Sequence, residues 1–365
     1  MGIFFASLGP LFLLLIQIFP IDPIYYFIFA AGPGLFNWFG LSFALMADIV
    51  PPTLRAISFS LIQICGFAAI ALVPAAAAIF GHLSGSILSC SFCVIGFFYA
   101  YFYLPETLSE ENKQRAIDER EEELANGATL ATTLFKPVTE MALLNRNWFF
   151  RYISVVIVMA ALIKSGDRAV LLFYVQGQLN FTDVDTAIYI SLFSLFGLIS
   201  QTYVLKNLIQ KYGERWTVII GMIFGIFYNL SYGFFTSHLV VFSTTILSGV
   251  SSMVFPTTSS MMSFNVNEHE QGSTQGVFTS LNALSSAIGP VMLNSVFDAT
   301  INGAVMGPGT MFILGAFIYA VGSVFSFLLP KEEANSNKWV NPDTLTSLLL
   351  GEENVDDTDE ETDVL

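Results

Sequence analysis

Uninterrupted apolar runs recur along this chain at residues 3–19, 24–46, 57–80, 87–104, 148–175, 187–205, 216–235, 239–263, 273–297 and 311–329. Most reach the roughly 20 residues that a helix rising about 1.5 Å per residue needs to cross about 30 Å of hydrocarbon. Apolar positions are continuous within each run rather than alternating, which argues against a barrel, and lipid gives an open backbone no hydrogen-bond partner. The pattern predicts an all-α integral membrane protein with about ten spans of bilayer length. Four precede a polar segment and six follow it. The expected organisation is an N-terminal helical bundle over 1–104, a charged linker over 105–147, a second bundle over 148–330 and an acidic, disordered tail over 331–365.

The basic residues orient this arrangement. Arg55 follows the second run, Lys113, Arg115, Arg120, Lys136 and Arg146 follow the fourth, and Arg151 opens the fifth. Lys206, Lys211 and Arg215 follow the sixth, and Lys331 and Lys338 the tenth. The intervening connections, around Asp22, His82, Gln178 to Asp185, His238 and Asp298 to Gly309, hold no Lys or Arg. All of the 14 basic residues except Lys164 and Arg168 therefore fall on one side, which the positive-inside rule makes cytoplasmic. Both termini are then expected in the cytoplasm.

Composition agrees with a membrane protein: 54% hydrophobic, 36 Phe, 12% charged and a mean hydropathy of +0.65 do not suit a soluble fold. The net charge of −15 arises largely from the linker and the tail, so it describes two solvated pieces rather than a binding surface, and no nucleic-acid partner is implied. Cys90 and Cys93 form a C-x-x-C inside an apolar run, without the strand-to-helix setting of a redox motif, and read as packing residues. His82, His238 and His269 lie in separate loops. No metal site, phosphate loop, nucleophile triad or cofactor motif is present, so an enzyme is not expected. The first run lacks a basic leader and a small-residue cleavage site, which argues against a removed signal peptide. Asn180-Phe181-Thr182 is a sequon in a loop expected outside, making Asn180 a glycosylation candidate and a topology marker.

One group resists the apolar pattern. Lys164-Ser165-Gly166-Asp167-Arg168 falls near the middle of the fifth run. A charge at a helix centre costs about 2.5 to 3.5 kcal/mol, so these side chains are expected to face a wet cavity or one another. Lys164 and Asp167, three apart, share a helix face and are expected to pair, and Gly166 between them is expected to loosen the helix. The competing reading is an inert ion pair, or a span that starts later. Amides within the runs, at Asn37, Gln63, Gln201, Asn229 and Asn282, and the hydroxyls of Ser251, Ser252, Thr257 and Thr258 around Pro256, either contact a solute or join helices.

The two halves share a spacing: Arg55 stands as far before Pro74 as Gln271 stands before Pro290. Residues 47–55, Ala-Asp-Ile-Val-Pro-Pro-Thr-Leu-Arg, resemble the loop after the fourth helix of the major facilitator superfamily, and Pro105-Glu106-Thr107-Leu108 resembles its exit from the sixth. Lys211-Tyr212-Gly213-Glu214-Arg215 resembles the second copy of its basic loop motif, with Lys206 and Gln210 replacing the usual Gly and Asp. Glu270-Gln271-Gly272 with Gly276 and Gly289-Pro290 resembles its eleventh-helix region. Phe19-Pro20 with 24–27, and Gly307-Pro308, are similar to the tetracycline-resistance-like and hippocampus abundant transcript-like branch.

The resemblance covers nearly all of 1–330. It implies a two-bundle fold of twelve helices with the first two lying upstream of Met1, so that the chain is expected to be N-terminally truncated and Asp48 lacks its basic partner. It also implies secondary transport of a small organic solute, with a proton as coupling ion and the lipid bilayer as surroundings. Lys164, Asp167, Arg168, Asn37, Gln201 and Asn282 are then expected at the substrate and coupling cavity. Asp48, Arg55, Lys211, Gly213 and Arg215 are expected at the cytoplasmic gate, and Pro74, Gly289 and Pro290 in helix packing. Where antiporter members carry Gly-x-x-x-Gly-Pro, this chain has only Pro74, preceded by Ile70-Ala71-Leu72-Val73. The alternative function is a non-transporting membrane protein, such as a receptor or trafficking factor, or an inactive fragment.

Overall fold

A computed structural model describes residues 2–19, 21–22, 24–30, 38–50, 55–103, 113–114, 117–118, 121, 141–266, 270–301, 307 and 309–330. Among the described residues all regular structure is helical. The helices are α1 (Gly2–Ile18), α2 (Ile24–Ala30), α3 (Trp38–Ile49), α4 (Arg55–Tyr103), α5 (Trp148–Leu179), α6 (Asp183–Ile199), α7 (Leu205–Phe234), α8 (His238–Ser251), α9 (Val254–Phe264), α10 (Gln271–Ile301) and α11 (Thr310–Phe327). Five of the described helical stretches are long and apolar enough to cross a membrane. The tail beyond 330 and most of the 105–147 linker lie outside the described residues.

Most predicted runs meet their helices within a few residues. The third and fourth do not stay separate: α4 runs unbroken from Arg55 to Tyr103, because the residues that join the two runs, 81–86, include no proline and no Lys, Arg, Asp or Glu. Its Leu83–Tyr103 part is fully unburied, with Phe92, Tyr101 and Tyr103 at 65%, 74% and 73% exposure. Such surface belongs against lipid, where apolar side chains lose nothing by facing outward.

The chemistry of the helix ends is readable locally. Asn147 caps α5, its side chain accepting the Phe150 N–H at 3.0 Å. Asn180 ends α5 in the left-handed region at φ 54°, a conformation that asparagine tolerates, and Thr182 with Asp185 then forms a capping box that starts α6. The sequon is thus a tight turn between two helices, with Asn180 exposed and Phe181 tucked against His238 and Phe242.

The eighth run is broken in two. Pro256 has no N–H for the Ser252 carbonyl four residues earlier, so α8 stops and α9 begins across Ser252 and Met253. The orphaned Ser252 carbonyl receives Gln201 Nε2 at 3.3 Å, and the same nitrogen reaches Ser252 Oγ at 3.2 Å. Gln201 sits in a π-helical turn, Ser200–Val204, that joins α6 to α7. Farther on, Gly213 interrupts α7 at φ 81°, ψ 171°, which glycine alone adopts without strain.

Small residues set the helix spacing. A Cβ on Gly289 of α10 would lie 2.1 Å from the Leu162 carbonyl oxygen of α5. The facing Gly166 meets the Gly289 carbonyl and Leu293. This pair explains why Gly166 does not loosen α5 as its sequence context predicted. The helix passes it without a break, and its missing side chain admits a neighbouring backbone instead. Between the bundles, Phe43 and Phe59 pack on Phe255, and Phe67 packs edge-on against Phe193.

Candidate functional site

Lys164, Asp167 and Arg168 lie at i, i+3 and i+4 on α5 and border one cavity of about 260 Å³. Its other walls are Tyr189, Ile190 and Phe193 of α6, Tyr228 of α7, Ser248, Ser251 and Ser252 at the end of α8, Tyr319 of α11, and Ile70 of α4. The cavity therefore lies between α5, α6, α7, α8 and α11 on one side and α4 on the other.

The expected ion pair of Lys164 with Asp167 is absent. Asp167 is 3% exposed, and its Oδ2 accepts from Asn229 Nδ2 at 3.1 Å while Oδ1 has no hydrogen-bond partner among the described residues. The physical reason is reach. The short Asp side chain turns toward α7, where Asn229 supplies a donor, whereas the long Lys stem extends along the cavity wall that both residues line. Asn229 is wholly buried and is itself anchored by the Gly225 carbonyl at 3.2 Å. Among the described residues neither Lys164 nor Arg168 makes a hydrogen bond or ion pair, so two cations border the cavity beside the Asp167 carboxylate without a salt bridge.

A cluster of tyrosines stands around this group. Tyr232 donates to the Tyr189 hydroxyl at 3.1 Å, Tyr174 to the Tyr232 carbonyl at 3.4 Å, and Tyr319 lines the cavity with Ser251. Tyr228 stands edge-on to Tyr232, ring centroids 5.0 Å apart. Sequence reasoning missed these residues among the many aromatics. The available signal was a hydroxyl-bearing ring where phenylalanine would suit lipid, as in the i, i+4 pair Tyr228 and Tyr232. The cavity so formed presents two cationic donors, the Asp167 carboxylate, and phenolic and seryl hydroxyls on an otherwise apolar and aromatic wall.

The remaining predicted residues divide. Asn282 lines a smaller adjoining chamber, and Gln201 stands behind the lining, bonded to Ser252. Asn37 lies outside the described residues. Asp48 near the end of α3, Arg55 at the start of α4 and Pro74 within α4 have described backbones, but their side chains lie outside the described residues. Lys211 places its ammonium 5.3 Å from the Tyr212 ring, and Arg215 donates to the Phe327 carbonyl at the end of α11. Pro290 lies inside α10 next to Gly289.

A buried ladder, also missed, closes the same end of the second bundle. Ser260 donates to Glu214 at 2.6 Å, Ser259 to Gln275 at 2.8 Å and Ser263 to Gln271 at 2.6 Å, with an Arg146–Glu270 ion pair at 3.0 Å beyond them. Serines on one α9 face opposite glutamines at i, i+4 on α10 were the sequence signal. No group of histidine, cysteine or acidic side chains among the described residues is placed to hold a metal ion.

Fold and cavity together define a multi-pass helical membrane protein with a polar site enclosed among its helices. The family model of the Major Facilitator Superfamily matches residues 1–290, and the chain belongs to that superfamily of membrane transporters. It is similar to hippocampus abundant transcript-like protein 1 of Bos taurus, 22% identical over 338 residues, covering 87% of this chain and 65% of that relative. It is also similar to the class G tetracycline resistance protein of Vibrio anguillarum, 28% identical over 160 residues, covering 44% of this chain and 40% of that protein.

Among solved structures, the human organic anion transporter TETRAN superposes with a TM-score of 0.69 at 18% identity, covering 88% of this chain and 76% of that one. The Escherichia coli fucose:proton symporter gives 0.63 at 14%, covering 91% and 83%. These likenesses establish the fold.

Proposed function

We propose that this chain is a secondary transporter that carries a small organic anion through the central cavity by alternating access, with a proton bound at Asp167 as the coupling ion. The observation that carries the reading is the pair of cations, Lys164 and Arg168, that make no ion pair among the described residues and stand beside a buried carboxylate with one oxygen unpartnered among them. Ionisable groups at mid-depth in a membrane protein are costly, and they persist where an ion or solute passes. One structural neighbour is named for transporting organic anions and another for coupling a sugar to a proton, which supports both halves of the proposal. The distribution of basic residues supports placing both termini, Lys211 and Arg215 in the cytoplasm.

The chain spans 65% of the length of the bovine relative it matches, so the test uses the chain as given, purified and reconstituted. In liposomes, saturable flux of small organic anions over neutral sugars, accelerated by a pH gradient, is the expected result. Lys164→Ala and Arg168→Ala should each weaken anion affinity about tenfold, the effect of removing a charged hydrogen-bond partner. Equal flux of anions and neutral sugars, or none of either, defeats the reading.

A further inference from the structure

Next to the main cavity lies a second chamber of about 30 Å³, and Lys164, Ser251 and Tyr319 form a wall common to both. Its polar lining includes Thr258 of α9 and Asn282 of α10, among apolar residues such as Ile157 and Ala161 of α5. Thr258 spends its hydroxyl proton on the Val254 carbonyl at 2.8 Å and so presents lone pairs. The Asn282 side chain makes no hydrogen bond among the described residues, although it is only partly exposed. The amide, with two donors and a carbonyl, is open to a group that enters, and a chamber this size holds about two waters, room for a carboxylate.

The two spaces are strung along α5. The main cavity is bordered by Lys164 to Leu172 and the small one by Ile157 to Lys164, so their midpoints are separated by about 11 Å at the helical rise. Arg168 borders the first alone, and Lys164 borders both.

Building on the transport reading above, we infer that the small chamber is a second subsite, and that the solute class is an elongated dianion. One carboxylate sits by Arg168 in the main cavity. The other reaches past Lys164 and Tyr319 to the Asn282 amide. Lys164 is shared, so it serves either end, whereas Asn282 reads only solutes long enough to span both spaces. Chain length, rather than charge alone, then sets selectivity.

The test compares two impermeant dicarboxylates of different length, butanedioate and octanedioate, in counterflow by the reconstituted chain. The wild type should take up octanedioate with higher affinity than butanedioate. Asn282→Leu should raise the octanedioate KM about tenfold and leave butanedioate within twofold, a split that general misfolding would not produce. Asn282→Ala, which adds no bulk, should give the same split if the leucine variant fails to fold. Equal effects on both solutes, or no effect on either, overturn the subsite while leaving the transport reading intact. Absence of flux for both dicarboxylates and for every other anion in the wild type removes the transport reading and this one with it.

Discussion

Asn229 of α7 holds Asp167 of α5, Nδ2 to Oδ2 at 3.1 Å, inside an interface where Asn229 is wholly buried and Asp167 nearly so. One bond orients the carboxylate and leaves its second oxygen without a partner among the described residues. A group so held can change protonation without dismantling a salt bridge, and its bond links α5 to α7.

Removing the titratable group separates coupling from passage. Asp167→Asn keeps the size and an acceptor for Asn229 but carries no exchangeable charge. Accumulation driven by a pH gradient should fall to background, while solute exchange at equal pH continues at a rate near the wild type. Gradient-driven accumulation that survives in this variant removes Asp167 from the coupling role.

The Asp167–Asn229 bond should also be visible as stability. Asn229→Ala leaves a buried carboxylate with no donor, which costs about 1–3 kcal/mol. The melting temperature of the detergent-solubilised protein should drop. Asp167→Ala in the same background should recover part of that loss, since both partners are then gone. A double-mutant cycle with no coupling energy would show that the two side chains act independently.

At Gly289, α10 lies directly against the backbone of α5. Gly289→Ala places a methyl against the Leu162 backbone carbonyl, with no flexible atom to yield, and should destabilise by about 1–3 kcal/mol or prevent expression. Gly276→Ala in the same helix meets nothing within 4 Å and should be neutral or stabilising by about 0.5–1 kcal/mol through helix propensity. Thermal unfolding of the two variants side by side checks the contrast, and equal melting temperatures would contradict the close approach.

The turn at Asn180 reports topology. In a glycosylating host the chain should carry a glycan removable by amidase, and Asn180→Gly should abolish it without loss of stability, because glycine accepts φ 54° freely. Asn180→Ala should abolish it as well but cost about 1 kcal/mol for the left-handed conformation. An unglycosylated chain whose Asn180 loop reacts with a cytoplasmic label would reverse the orientation taken from the basic residues.

Much of the site's address was readable along the chain. Lys164, Asp167 and Arg168 stand out because hydrocarbon penalises charge wherever it appears in a span, and their helical spacing puts them on one face in any fold. The break at Pro256 has an equally local cause, a missing N–H, although the run 239–263 was read as one span. What could not be read was each group's partner. Lys164 was the candidate on the same helix face as Asp167, yet the partner is Asn229, a distant residue on another helix that brings a buried amide beside it. The tyrosine cluster and the serine–glutamine ladder escaped for the same reason: their hydroxyls and amides acquire meaning only when α6, α7, α9 and α10 are rotated toward one another.

The sequence by itself determined that the chain is helical and lives in a bilayer, because backbone hydrogen bonding in lipid must be satisfied within each segment and the length of an apolar run sets whether it can cross. Family membership was likewise legible, in short motifs kept in order. Only the tertiary structure decided that α4 is one helix where two were expected, that Gly166 admits a backbone rather than a hinge, and that Gln201 satisfies the Ser252 carbonyl. Those outcomes depend on the rotation and separation of helices, which van der Waals packing of small residues fixes and which no single segment encodes.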